Sequence, residues 1–208
     1  MISAIILAAG ESRRMDQLKQ LLPWGATTIL GQVIENVRAS RVDEVVLVVG
    51  YRAEEVLAVV SHPGIGIKVK INPSYQQGMS SSIQAGLQAI GSNAQAVLLV
   101  LGDQPLVSSE TINKLIAAYQ SQCEDKGIIV PVYQGERGHP VILDLKYKAE
   151  IMQLRGDTGC RQIIATYPPD VLEIEVDTAS ILQDIDVPDD LANILRIKEY
   201  TRPKPMGL

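Results

Sequence analysis

Short runs of aliphatic and β-branched residues recur along the chain and constrain its fold more than any other feature. The runs are almost continuously apolar rather than alternating, and Gly, Asp or Pro bounds them. Strands that are buried on both faces of a parallel sheet have this pattern. The pattern therefore predicts five buried strands, at residues 5–8, 45–49, 67–71, 97–101 and 128–132.

The segments between these runs follow a helical period instead. Apolar residues return at helical spacing in three groups: Ile29, Leu30, Val33, Ile34 and Val37; Ile112, Leu115, Ile116 and Tyr119; and Leu191, Ile194 and Leu195. Ser108 is a start signal for the second helix and Pro188 for the third. The alternation predicts an α/β fold, a three-layer α/β/α sandwich with a mostly parallel sheet. We expect one domain over residues 1–200 and a loosely held tail over 201–208.

Composition and charge exclude several classes of protein. The net charge of -5 speaks against a nucleic-acid-binding platform, which needs a basic surface. Hydrophobic residues at 46% and charged residues at 21% exclude a disordered chain. No apolar run approaches a membrane span, and residues 1–9 are too short for a signal peptide. Cys123 and Cys160 form no CxxC pair, so we expect a cytoplasmic protein with reduced thiols.

The loop after the first predicted strand combines small residues with cations. In sheets of this kind, ligands bind outside the carboxyl ends of the strands. Small residues there let a phosphate chain approach backbone N–H groups, and nearby cations balance its charge. The candidate nucleotide-binding residues of this segment are Leu7, Ala8, Ala9, Gly10, Arg14 and Lys19. The alternative is an ordinary strand-to-helix turn with solvated cations; the GxGxxG and Walker A patterns are both absent.

The string LAAGESRRM followed by Lys19 resembles the LAAGxSxRM…K signature of the nucleotidyltransferases of the molybdopterin-nucleotide and sugar-nucleotide type. Within this family, the chain most resembles the molybdenum cofactor cytidylyltransferases, and then the related guanylyltransferases. Asp16 stands where the family usually has Gly. The resemblance covers roughly residues 2–195 and implies a Rossmann-like nucleotidyltransferase fold.

Further motifs of the family follow in order along the chain. Asn72, Gly78 and Ser82 resemble its nucleoside-side segment, and the GDQP string that begins at Gly102 resembles its metal-binding strand end. The strings GHP at 138–140 and RGDTGCR at 155–161 match the later half of the molybdopterin branch. The string DIDVPDDL at 184–191 resembles its closing element. The resemblance thus implies that Asn72, Gly78, Ser82 and Gly102 bind the nucleotide.

Two carboxylates are candidates for a metal site. Asp103 ends a predicted central strand, where a hard oxygen ligand suits Mg²⁺, and Asp186 would add a second carboxylate. Each has a simpler interpretation, Asp103 as a helix cap and Asp186 as part of a turn before a helix. Together with the family match, the two residues are expected to hold one Mg²⁺.

The resemblance implies transfer of CMP from CTP to the phosphate of a molybdopterin-type acceptor, with release of pyrophosphate. The expected catalytic residues are Arg14, Lys19 and Asp103, because positioning and charge neutralisation do most of the work in such transfers. No general base is needed, since a phosphate dianion is already a nucleophile. Ala9 stands where the guanylyltransferases usually have Gly, and its methyl group narrows the base pocket in favour of a pyrimidine.

The expected acceptor-binding residues are His139, Asp157 and Arg161. Asp157 is expected to cap a helix from Thr158 onward, which leaves free amides and the Arg161 cation for an anion. The alternatives are a capped helix with a surface arginine and a structural histidine. The serines at 80–82 open another predicted helix, either as its cap or as a contact to the ribose.

Three other functions stay open from the sequence. One is a GTP-using or sugar-phosphate nucleotidyltransferase. Another is a non-catalytic protein that hands the cofactor to a molybdoenzyme or its maturation chaperone. The last is a small flavin or nicotinamide oxidoreductase on the same scaffold. The joint presence of Arg14, Lys19, Asp103 and Asp186 favours catalysis, because a binding protein does not need both carboxylates.

Overall fold

Ten strands and six α-helices make up the part of the chain that the computed structural model describes, residues 1–12, 17–60, 66–122, 124–185 and 190. The strands are β1 Ile2–Ala8, β2 Pro23–Trp24, β3 Thr27–Thr28, β4 Glu44–Val49, β5 Ile67–Ile71, β6 Ala96–Leu101, β7 Ile128–Tyr133, β8 Glu136–Arg137, β9 Val141–Asp144 and β10 Val171–Glu175. The helices are α1 Ile29–Arg38, α2 Ala53–Val60, α3 Met79–Leu87, α4 Ser109–Gln122, α5 Lys148–Ile151 and α6 Arg161–Thr166.

The main sheet has the strand order β10-β7-β9-β6-β1-β4-β5, with β8 paired to β7. Strand β1 lies in the interior of the sheet and runs parallel to β4 on one side and β6 on the other. The β4–β5 and β7–β10 pairs are also parallel, whereas β9 is antiparallel to both β6 and β7. The expected mostly parallel sheet is therefore confirmed.

Helices cover both faces of this sheet. One core cluster contains the apolar side chains of α1 and α4, with Val56 of α2, against Ala4, Ile6 and Ala8 of β1. The other contains the apolar side chains of α3, α5 and α6 against Ile5 of the same strand. Because neighbouring side chains of a strand point to opposite faces, β1 contributes to both cores. The expected three-layer α/β/α sandwich is confirmed.

The five predicted strands are all present, but one expectation about them was wrong. β5 is an edge strand and is not buried on both faces, since Val69 and Ile71 are 47% and 53% exposed. The prediction also missed β9 and β10. Four-residue β9 gives little periodic signal, and β10 interrupts its apolar residues with Glu173 and Glu175, so neither resembles a buried run.

Three predicted helices and one start signal are confirmed. α3 contains the serines at 80–82 that were expected to open a helix. α1 and α4 contain the expected apolar groups, and the Ser108 hydroxyl accepts a hydrogen bond from the Thr111 amide at 3.2 Å. The helix expected after Pro188, with Leu191, Ile194 and Leu195, lies outside the described residues, as does Cys123. The extent of the domain, 1–200 with a tail, stays a prediction. In the described part of the chain, no helix has the length and apolar character to cross a bilayer.

Candidate active site

The carboxyl ends of β1, β4 and β6 meet at one edge of the sheet. Leu7 pairs with Leu101 on one side of β1, and Ala8 pairs with Val49 on the other. The chain builds β4 and β5 to one side of β1 and then crosses to β6 on the other side. Such a reversal of strand order opens a crevice at the carboxyl ends, where ligands of open α/β sheets bind.

Gly102 is required by the close approach of β6 to β1. Its amide donates a hydrogen bond to the Leu7 carbonyl at 2.9 Å. A Cβ atom at this position would lie 2.8 Å from the same carbonyl oxygen, which the central strand holds in place. A larger residue would therefore separate the two strand ends that form the crevice.

The loop after β1 is held in shape by Gln20, which the sequence analysis did not identify. The Gln20 side-chain amide donates to the Gly10 carbonyl at 3.3 Å, and its Oε1 accepts from the Ser12 hydroxyl at 3.3 Å. Ser12 Oγ also accepts from the Lys19 amide at 3.2 Å. These bonds fasten the glycine loop to the segment that carries Lys19. A single glutamine in a loop carries no sequence signal of this role.

Asp103 and Lys19 form an ion pair at the mouth of this loop. Lys19 Nζ lies 2.5 Å from Asp103 Oδ2, and the two side chains are only 14% and 18% exposed. Asp103 Oδ1 is buried and has no hydrogen-bond partner among the described residues. A buried carboxylate oxygen without a donor is costly, and a bound cation would satisfy it.

Arg14 and Asp186 lie outside the described residues, as does Asp16. The segment just before Asp186 is nevertheless fastened to the end of β6. The Ile185 amide donates to the Asp103 carbonyl at 3.1 Å, and the Gln104 side chain donates to Asp184 Oδ1 at 2.6 Å. Within the described ranges, no group of three or more His, Cys, Asp or Glu residues is arranged to hold a metal ion.

A cavity of about 510 Å³ opens at this edge of the sheet. Seven of its lining residues were predicted as nucleotide-binding, namely Leu7, Ala9, Gly10, Lys19, Gly78, Ser82 and Gly102. Asp103 also lines it, together with residues that the sequence analysis did not assign to nucleotide binding, among them Gln20, Tyr75 and Met79. Ala8 and Asn72 are buried and do not line this first cavity.

Asn72 instead supports the wall of the first cavity. Its side-chain amide donates to Ser81 Oγ at 2.9 Å and to Ser82 Oγ at 3.0 Å, and its Oδ1 accepts from the Ser74 amide at 2.9 Å. Gly78, and not one of the serines, occupies the N-cap position of α3. The hydrogen bonds of the Asn72 side-chain amide thus position the first turn of that helix.

A second cavity of about 560 Å³ adjoins the first one. The three predicted acceptor-binding residues, His139, Asp157 and Arg161, all line it. Met79, Leu101, Asp157 and Asp184 line both cavities. The two cavities are therefore neighbouring parts of one cleft across the sheet edge.

His139 is half-buried in the wall of the second cavity. Its backbone amide donates to the Ile181 carbonyl at 3.0 Å. Burial lowers the pKa of the His139 imidazole below its usual range, as does the nearby Arg161 charge, and the Asp103 carboxylate opposes this shift. The imidazole is therefore neutral at neutral pH.

The predicted cap at Asp157 was wrong. Helix α6 begins at Arg161, its N-cap residue is Cys160, and no side chain caps it. Gly156 and Gly159 have φ of 69° and 54°, in the left-handed region, so the helix cannot extend back to Thr158. Asp157 instead caps α3, because its Oδ1 accepts from the Met79 amide at 2.9 Å.

Cys160 lines the second cavity as a free thiol. Burial raises the pKa of this thiol to about 12, so the thiolate is scarce at neutral pH. The thiolate is the nucleophilic form of cysteine. Cys160 is therefore an inert part of the cavity wall.

Comparison with known proteins identifies a family and several relatives that match most of this chain. The family model of the MobA-like NTP transferase domain matches residues 4–171. The molybdenum cofactor cytidylyltransferase of Escherichia coli is 32% identical over 91% of this chain and 93% of its own length. The nicotine blue oxidoreductase of Paenarthrobacter nicotinovorans is 26% identical, over 93% of this chain and 96% of its own.

Solved structures agree with this relationship. Rv0371c from Mycobacterium tuberculosis H37Rv is 29% identical and superimposes with a TM-score of 0.83 over 94% of this chain and 97% of its own. Its complex with manganese is 29% identical, with a TM-score of 0.78 over 94% and 98% of the two chains. The chain is a nucleotidyltransferase and belongs to the family of MobA-like NTP transferase domains.

Proposed function

We propose that this protein transfers CMP from CTP to the terminal phosphate of a molybdopterin-type acceptor and releases pyrophosphate, with Mg²⁺ as its metal. The similarity to the Escherichia coli cytidylyltransferase over nearly the whole chain supports the reaction and the acceptor. The manganese complex of Rv0371c supports a divalent cation in this fold.

The buried Asp103 carboxylate beside the glycine loop is the observation that carries the proposal. Its Oδ1 lacks a donor among the described residues, and Lys19 lies against its Oδ2. Mg²⁺ prefers one or two carboxylates together with phosphate oxygens and water. Asp103 fits this preference, and Asp186 is the proposed second ligand, because the preceding residue Ile185 is bonded to the Asp103 carbonyl. When bound, the cation would neutralise charge on the α-phosphate of the nucleotide.

The chain's own residues would hold the triphosphate in line for attack. Gly10 has open space around its Cα, so a phosphate can approach the backbone there. Arg14 and Lys19 would balance the charge of the β- and γ-phosphates and of the departing pyrophosphate. An oxygen of the acceptor phosphate forms a bond to the α-phosphorus, while the bond from that phosphorus to the bridging oxygen of the pyrophosphate breaks.

The second cavity would hold the acceptor. Arg161 lines this cavity together with His139 and Asp157, and its guanidinium would bind the acceptor phosphate. A guanidinium binds a phosphate through two parallel hydrogen bonds, which fixes the orientation of the phosphate. Because the two cavities adjoin, an acceptor phosphate held in the second cavity would face the nucleotide in the first.

The preference for CTP rests on Ala9. Ala9 lines the first cavity and is packed into the core beneath it, with only 4% of the residue exposed. The Ala9 methyl group would therefore keep the base pocket narrow and favour a pyrimidine.

The decisive assay measures pyrophosphate release with CTP, GTP, ATP and UTP, each with and without molybdopterin and with and without Mg²⁺. We expect release with CTP that requires both molybdopterin and Mg²⁺. A preference for GTP would overturn the cytidylyl assignment. The absence of release with any nucleotide, together with a bound yellow chromophore, would favour an oxidoreductase instead.

Asp103→Ala tests the site itself. We expect the variant to lose turnover by roughly 100-fold or more, the scale of removing one preorganised electrostatic group. Asp125→Ala is the matched control, because Asp125 is an exposed carboxylate in the turn after α4. A folded Asp103→Ala protein with near-normal turnover would eliminate the proposed site.

A further inference from the structure

The RGDTG loop, residues 155–159, lies directly on the first turn of α3. The Ser80 amide donates to the Gly156 carbonyl at 3.0 Å, and the Met79 amide donates to Asp157 Oδ1 at 2.9 Å. Two of the first amides of α3, which have no partner within the helix, are thus satisfied by a loop that is 78 residues away in sequence.

Glycine permits this contact on both sides. Gly78 has a φ of 97°, and a Cβ atom there would lie 2.5 Å from the Gly156 carbonyl carbon. A Cβ atom at Gly159 would lie 3.0 Å from Met79 Sδ. Backbone packs on backbone here, so a displacement of the loop would shift the first turn of α3 as well.

The contact joins the two cavities. Asp157 and Met79 line both of them, Gly78 and Ser82 line the first cavity, and Arg161 lines the second cavity two residues beyond the loop. A carboxylate at a helix N-terminus also balances the partial positive charge of the helix dipole. The hydrogen bond from the Met79 amide to Asp157 Oδ1 therefore holds the residues of the first cavity in place relative to those of the second.

We propose that Asp157 is a positioning residue that couples the two substrate sites by capping α3, rather than a residue that contacts the acceptor through its charge. The inference rests on the proposed function in that it takes the first cavity as the nucleotide site and the second as the acceptor site. One hydrogen bond, from the Met79 amide to Asp157 Oδ1, then affects the apparent affinity for the nucleotide as well as that for the acceptor.

The test compares Asp157→Ala with Asp157→Asn. Asparagine keeps the Oδ1 acceptor for the Met79 amide and removes only the charge, whereas alanine removes the acceptor. In Asp157→Ala we expect hydrogen exchange of the Met79 and Ser80 backbone amides to be about fivefold faster than in the wild-type protein. NMR on the ligand-free protein measures these exchange rates. The Kd for CTP with Mg²⁺ and the KM for molybdopterin should rise together by a similar factor, the effect of a lost helix cap. Asp157→Asn should keep the CTP Kd within about twofold of the wild-type value.

Asp125→Ala, which removes an exposed carboxylate in the turn after α4, is the control and should leave the Met79 amide exchange, the CTP affinity and the midpoint of thermal unfolding at their wild-type values. An Asp157→Asn variant that binds CTP as weakly as Asp157→Ala would overturn the proposal, as would a rise in the molybdopterin KM alone. Unchanged exchange of the Met79 amide in Asp157→Ala would also overturn it. If the wild-type protein binds CTP but transfers nothing, the proposed reaction fails, while the amide exchange and the CTP affinity still decide whether Asp157 is a positioning residue.

Discussion

Gln20 shows how one buried side chain can fix the shape of a binding loop. Gln20 is 3% exposed. Its Nε2 donates a hydrogen bond to the Gly10 carbonyl, and its Oε1 accepts one from the Ser12 hydroxyl. The Gly10 carbonyl thus has a donor within the protein, and Gln20 holds it in one orientation. Loop shape and charge are therefore set by different residues, Gln20 for the shape and Lys19 for the charge.

Replacing Gln20 by leucine keeps the volume and removes both hydrogen bonds. We expect Gln20→Leu to lower the free energy of unfolding by about 1 kcal/mol, the usual net value of a buried hydrogen bond. We also expect the Kd for CTP to rise about fivefold as the loop loosens, measured by titration calorimetry. Gln122→Leu, at the exposed end of α4, is the control. A Gln20→Leu protein with wild-type nucleotide affinity would show that the loop keeps its shape without Gln20.

At the scale of the element, α3 connects the cleft to the core of the sheet. Its first turn is held by Asp157 and Ser81, whose hydroxyl donates to the Gly78 and Ser74 carbonyls. Its last turn lies on β1, where Gly86 is packed against Ile5. The position of the cavity wall thus depends on how closely this helix approaches the sheet.

Gly86→Ala tests that approach, because two effects oppose each other. Alanine favours a helix by about 1 kcal/mol over glycine. The added Cβ would lie 2.5 Å from Ile5 Cγ2, however, and Ile5 is fully buried in the central strand. Overpacking of this kind costs about 1–3 kcal/mol and outweighs the gain in propensity.

We therefore expect urea unfolding to show a net destabilisation of about 1 kcal/mol in Gly86→Ala. Gly91→Ala is the matched control, since its Cβ would meet only the Glu44 carboxylate oxygens at 3.6 Å. That variant should stay within about 0.5 kcal/mol of the wild-type protein. A stabilised Gly86→Ala protein would mean that α3 can move away from β1 at little cost.

At the scale of the whole molecule, the cleft brings charges from distant parts of the chain around one half-buried imidazole. Asp103 follows β6, Arg161 begins α6, and His139 lies between β8 and β9. Burial and the Arg161 charge lower the pKa of His139, so the folded protein resists protonation of this side chain more than the unfolded chain does.

This difference links stability to pH. Above the ordinary pKa of 6.5, His139 is neutral in both states and costs nothing. As the pH falls below 6.5, the unfolded chain takes up the proton first, and the free energy of unfolding decreases until the folded-state pKa is passed. The stabilising contribution is therefore present above pH 6.5 and is lost toward lower pH.

The measurement compares urea unfolding between pH 7.5 and pH 5.5, roughly the window in which histidine titrates. A His62→Gln background leaves His139 as the remaining histidine, since the chain has two. Adding His139→Gln should make the free energy of unfolding depend less on pH in this window. An unchanged slope in the double variant would contradict the lowered pKa.

Much of the fold was predictable, because its signals are local. The runs at β1, β4, β6 and β7 are β-branched and continuous, and the apolar groups of α1 and α4 return at helical spacing. The candidate loop around Gly10 was predictable for the same reason, since small residues directly follow a strand. Edge strand β5 was misjudged although Lys68 and Lys70 interrupt its apolar residues. Lysines within a strand are typical of the edge of a sheet.

The sequence alone determined the alternation of strands and helices, the family signature and the residues that could carry charge at the strand ends. Only the tertiary structure decided that β9 inserts antiparallel between β6 and β7, that Gln20 holds Gly10, and that Asp157 caps α3 instead of its own helix. Periodicity and propensity act over a few residues, whereas these pairings depend on which buried donors and acceptors the packed sheet brings together.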